Sequence, residues 1–141
     1  MSESGSDRDF VSSVGLIITG AQLRPDEVTA TLGMEPDECW RRGDSKRVGA
    51  ELHEWGGWKK RLQRRDDRDP FSLELRLWAD LLKGKVTELR CLRDAGCNLT
   101  LDCFISISGA ALVEINPELQ RDLSTLGIDL SFAIWASTDA G

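Results

Sequence analysis

A chain of 141 residues, 40% hydrophobic and 30% charged, is sized and balanced for one domain around one core. Its net charge of -6 argues against broad nucleic-acid binding, since neutralised phosphates supply most of that affinity. No apolar run is long enough to span a membrane, and the polar start MSESGSDRD lacks the basic-then-apolar order of a secretory signal. The resulting expectation is a cytoplasmic protein with one domain over 10–137 and loose tails at 1–9 and 138–141.

Phe10 to Thr19 reads as the first strand, with Val14, Leu16 and Ile18 on one face and Val11 and Ile17 on the other. A short helix follows. Pro25 suits the first helical position, Asp26 and Glu27 favour the positive end of the helix dipole, Val28 and Leu32 share a face, and Gly33 caps the end. Residues 34–70 read as irregular. Gly43-Asp44 marks a turn, a strand lies within Leu52 to Leu62 with a turn or bulge at Gly56-Gly57, and Arg64 to Pro70 reads as a charged surface loop.

Ser72 is placed to cap a helix beginning at Leu73, whose stripe includes Leu77, Trp78, Leu81 and Leu82. The alternating opening LELRL offers a competing strand. Gly84 interrupts the pattern and Val86, Leu89 and Leu92 resume it, giving two helices, or one kinked helix, over about 73–95. Leu99, Leu101, Cys103, Ile105 and Ile107 then alternate as a strand with one buried face. Ser108-Gly109 suggests a hairpin into a partner strand carrying Ala111, Val113 and Ile115. Asn116 and Pro117 open a helix with Leu119, Leu123 and Leu126 inward and Gly127 at its end, and Ile128 to Ala136 forms the last strand. The elements sum to an α+β fold. We expect a ferredoxin-like, mixed or antiparallel five-stranded sheet with helices on one face and an inserted helical pair at 73–95. Ile17, Phe104 and Trp135 point to the other face, to be covered by residues 34–70 or by a second subunit.

Chemistry has few places to sit. Of the four cysteines, Cys39, Cys91, Cys97 and Cys103, none forms a close pair, and His53 is the lone histidine, so neither a zinc site nor any other metal site is expected. Cys103 reads as a small core hydrophobe. No phosphate-cradling glycine motif is present, the acidic pairs lack a metal-binding spacing, and no cofactor and no catalytic set are expected. His53 beside Glu51 or Glu54, or paired with Cys39, is the single weak acid–base arrangement. The unusual segment is Cys39 to Trp58, where Trp40, Trp55 and Trp58 interleave with arginines, acids and glycines. Such a set can line a pocket for an anion, a planar ligand or a peptide, and it can equally anchor an irregular segment to the core. Candidate binding residues are therefore Trp40, Arg42, Gly43, Asp44, His53, Trp55, Gly57 and Trp58.

The stretch LRPDEVTATLG, the Trp40-x-x-Gly43-Asp44 turn, Gly56-Gly57-Trp58, LRDAGCNLTLDCFISIS and INPELQRDLSTLGIDLSFAIW stand in an order that resembles a bacterial domain-of-unknown-function family, family 4279. The resemblance covers about Val14 to Trp135. It implies a small α+β domain, with Trp40, Gly43, Asp44, Gly57 and Trp58 at signature positions, and it brings no catalytic residues. The run KKRLQRRDDRD looks like a loop insertion of this chain. Three functions follow as expectations. The first is a non-enzymatic protein-binding module, similar in general build to toxin-neutralising immunity proteins. The second is a small-ligand domain or enzyme using residues 39–58. The third is a largely structural homo-oligomer, such as a homodimer, whose tryptophans only hold the fold and the interface. Neither nucleic acid nor membrane is an expected partner.

Overall fold

The computed structural model describes residues 10–46, 51–62, 71–110 and 112–136. The expected tails at 1–9 and 138–141, and the expected charged loop from Arg64 to Pro70, lie outside the described residues.

Five strands form one sheet in the order β2-β3-β1-β4-β5. They are β1 (Phe10–Gly20), β2 (Glu38–Trp40), β3 (Gly56–Arg61), β4 (Asn98–Ile107) and β5 (Asp129–Ala136). Pairing is antiparallel from β2 through β4, and β5 lies parallel to β4. The described residues also form four α-helices: α1 (Pro25–Leu32), α2 (Phe71–Leu82), α3 (Val86–Asp94) and α4 (Pro117–Leu126). A single 3₁₀ turn, Lys83–Lys85, joins α2 to α3.

Period-two alternation decides which face each strand buries. Val14, Leu16 and Ile18 of β1 and Leu99, Leu101, Cys103 and Ile105 of β4 are buried beneath the helices, together with Trp58 of β3. The helices close over them with Val28, Leu32, Leu75, Trp78, Leu82, Leu89, Leu119, Leu123 and Leu126. The helix starts and stops match their chemistry. Asn116 Oδ1 accepts from the Leu119 N–H at 2.8 Å, and Gly33 and Gly127 end their helices at φ 69, a conformation a side chain resists. Arg93 of α3 adds a second closure, donating to the carbonyls of Leu126 and Gly127 at 2.8 and 3.0 Å.

The longest strand outruns its neighbour. The β1–β3 ladder stops at Gly15–Arg61, so among the described residues no strand pairs with Val14 on that side. Helix α2 takes over. Glu74 accepts from the Val14 N–H at 3.3 Å and the Trp78 indole donates to the Val14 carbonyl at 3.2 Å, one helical turn apart. These side chains satisfy buried backbone groups that would otherwise be costly to leave unpaired.

The structure corrects four expectations. Residues 112–116 form no strand, and β4 is followed not by a hairpin partner but by a crossover through α4 into parallel β5. Both sides of β4 are occupied, by β1 and β5, so the alternation of Val113 and Ile115 serves packing against the core and not a ladder. The sheet still has five strands because Glu38–Trp40, within the segment read as irregular, pairs with β3. Gly56 and Gly57 are regular strand residues, not a turn or bulge. Helix α2 begins at Phe71, so Ser72 lies inside its first turn and is not its cap.

Candidate functional site

Beyond β2 the chain turns back on itself as an arm. The Asp44 N–H donates to the Arg41 carbonyl at 3.0 Å, and the Asp44 carboxylate accepts from the Arg41 N–H at 2.8 Å, closing the turn that Gly43 allows at φ 91. The two limbs then pair. Gly43 N–H donates to the His53 carbonyl and His53 N–H to the Asp44 carbonyl, each at 2.8 Å, and Ser45 bridges Leu52. Arg41 ties the base of the arm to α1 through Asp26 at 3.0 Å, an exposed pair worth little by itself.

Trp40 is the hinge between arm and sheet. The β2–β3 register sets it directly opposite Gly57. Its indole covers Gly57 so closely that a Cβ there would collide with the ring. His53 of the arm stacks on the ring with centroids 4.8 Å apart and planes 23° from parallel, and Lys59 Nζ lies 5.3 Å from its centroid. An aromatic laid over a strand glycine in this way fixes register and hides backbone that glycine would expose.

Between arm and sheet end lies an open surface concavity of about 480 Å³, lined by Ala21, Arg42, Gly43, Leu52, His53, Glu54 and Trp55. Leu52 is 55% exposed and Trp55 54% exposed. Arg42 makes no hydrogen bond or ion pair with the described residues, whereas its neighbour Arg41 is held by Asp26. The groove thus presents an apolar shelf, one uncommitted cation and one carboxylate, Glu54.

The structure divides the expected site residues. Arg42, Gly43, His53 and Trp55 line the groove together. Asp44 shapes the turn. Trp40 and Gly57 support the arm from the sheet face opposite the helices. Trp58 belongs to the other face, where it is fully buried and donates from its indole N–H to Thr29 Oγ1 at 3.1 Å. Trp40 and Trp58 lie on opposite faces of the sheet, because Trp40 stands opposite Gly57 and successive strand residues face opposite ways. Cys39 shares the Trp58 face of β2 and so stands apart from His53, which stacks on Trp40. Ala21, Leu52 and Glu54 complete the lining and were not among the expected residues. Leu52 carried a signal, a lone leucine amid charged residues, while Ala21 carried none. Among the described residues no group of three or more His, Cys, Asp or Glu side chains is placed to hold a metal ion. Likewise, no helix among them is long and apolar enough to cross a membrane.

Fold and groove together define a small α+β domain with a mixed five-stranded sheet, helices on one face and a hairpin arm at one end. Residues 10–137 match the family described as Domain of unknown function (DUF4279), and the chain belongs to that family. No curated protein and no solved structure matches the chain.

Proposed function

We propose that this domain is a non-enzymatic protein-binding module whose arm groove takes a short segment of a partner protein. The observation that carries this reading is the uncommitted Arg42 beside the half-exposed Trp55 and Leu52. Aromatic and arginine side chains dominate binding energy at protein interfaces, and a cation at an apolar shelf suits a peptide carboxylate next to an apolar side chain. Glu54, on the same rim, offers an acceptor for a peptide N–H. Trp40 and His53 contribute by holding the arm in place.

A selection from a displayed random-peptide library tests this. The wild-type domain is expected to enrich sequences with a carboxylate near an aromatic or aliphatic residue. The corresponding free peptides should lose about tenfold or more in affinity against Arg42→Glu and against Trp55→Ala. Enrichment no better than that of the doubly substituted domain would overturn the proposal. The groove volume, within the range of about 300–1,000 Å³ typical of small-molecule sites, supports a second reading as a small-ligand site. Ligand-observed NMR with aromatic carboxylate fragments separates the two, since fragment binding without peptide binding favours the second.

The order β2-β3-β1-β4 and its antiparallel pairing support reading the first four strands as a ferredoxin-like core, in which the helical pair α2–α3, expected as an insertion, takes the place of the second crossover helix and α4 with β5 is the addition. Residues 10–137 are proposed as one domain, and a cytoplasmic setting fits the four free cysteines.

A further inference from the structure

The arm groove offers three kinds of contact at once. Arg42 supplies a cation, Glu54 a carboxylate, and Leu52 with Trp55 an apolar shelf, all lining one concavity. Neither Arg42 nor Glu54 makes a hydrogen bond or ion pair with the described residues. The limbs of the arm bring these groups together. Trp40 pairs with Gly57 at the base and Ser45 with Leu52 further out, so the stretches between, 41–44 and 53–56, are equal in length. Arg42 and Trp55 stand at matching positions, each two residues out from the Trp40–Gly57 pair.

The backbone of the arm keeps most of its donors for itself. The N–H groups of Arg41, Gly43, Asp44 and His53 all donate within the arm. That leaves the Arg42 guanidinium, and not a nest of backbone N–H groups, as the principal donor to an anion in the groove.

We propose that the partner segment is the C-terminal end of a protein chain with an apolar last residue. This rests on the protein-binding reading of the groove and adds which part of a partner it takes. A chain end carries a carboxylate, an N–H and a side chain on one α-carbon, one group for each kind of contact. Arg42 pairs with the carboxylate, which matches the planar fork of a guanidinium. Glu54 accepts from the N–H of the last residue, and the last side chain lies on Trp55 and Leu52. An internal aspartate or glutamate fits less well. In an extended segment the neighbouring side chain points the opposite way, and the next one on the same side is about 6.6 Å further along. A free amino acid carries the same three groups, but this concavity is open to solvent and leaves so small a ligand largely in water. A chain end continues over the exposed rim.

Two random-peptide libraries test this, one displayed with a free C-terminus and one with that end fused to the display protein. The free-end library is expected to give the stronger enrichment, converging on an aliphatic or aromatic last residue. Peptides selected from it, made as the acid and as the C-terminal amide, should differ at least tenfold in Kd, and Arg42→Gln should remove that difference. Arg42 is exposed, so the circular dichroism spectrum of the variant should match the wild type. Equal affinity of acid and amide, or enrichment from the fused library alone, overturns the inference and leaves the protein-binding reading standing. So does an acid–amide difference that Arg42→Gln leaves intact. Enrichment from neither library overturns both. Free leucine or phenylalanine binding as tightly as the selected peptides, read by NMR, overturns the inference in favour of a small-molecule site.

Discussion

The Trp40 indole occupies the space that a side chain at Gly57, its cross-strand partner, would need. Each residue therefore explains the other. Glycine at 57 exists to seat the ring, and the ring, so seated, offers its outer surface to His53 and Lys59. Gly57→Ala should cost about 1–3 kcal/mol through overpacking. In a Trp40→Ala background the same substitution should cost far less, because the obstructing ring is gone. Urea denaturation of the four proteins in this cycle measures the coupling, and additive costs would show that the two residues do not depend on each other.

Trp78 holds the end of the sheet through one hydrogen bond to Val14. Trp78→Phe keeps most of the buried ring and removes the donor, leaving the Val14 carbonyl without it. A loss of about 1–3 kcal/mol is expected, the cost of a buried polar group left unsatisfied. Calorimetric unfolding checks this, and amide exchange near Val14 should accelerate in the variant more than exchange in α4.

Burial pushes the Cys103 thiol up to about 12, with the negative charges of Asp102 and Glu74 acting in the same direction. The folded state keeps this proton at a pH where the unfolded chain releases it. Stability from this group is thus fully present below the ordinary thiol value of 9.0 and declines as pH rises from there toward 12. The expected slope approaches about 1.4 kcal/mol per pH unit in the upper part of that window. Cys103→Ala should flatten the decline between pH 8 and pH 10 relative to wild type, even if the variant is less stable throughout (a buried side chain is shortened). Equal slopes would contradict the assignment.

Helices and long strands were legible because their signals are local. Pro25, Asn116, Gly33 and Gly127 each mark a helix end by a property of that residue alone, and the β4 alternation from Leu99 to Ile107 states its own buried face. What could not be read depended on partners distant in the chain. Val113 and Ile115 alternate as a strand does, but a ladder needs a free neighbour, and β4 has none to offer. The strand Glu38–Trp40 is too short to show a period at all. The site divided along the same line. Residues 39–58 stood out by composition, yet only the register, which places Trp40 and Trp58 on opposite faces of the sheet, separates the tryptophans by role.

Within residues 39–58, Trp58 holds the core, Trp40 holds the arm, and Trp55 stays half-exposed in the groove, the place where we propose that a partner binds. The most direct test is the unfolding free energy of three single substitutions in urea. The account predicts a loss of about 3–5 kcal/mol for Trp58→Ala. For Trp40→Ala it predicts about 1–2 kcal/mol, from the ring stack and the Lys59 contact. For Trp55→Ala it predicts a change within about 0.5 kcal/mol. A Trp55→Ala loss as large as that of Trp58→Ala would contradict the account, for it would make Trp55 a third anchor and leave the groove without its aromatic contact.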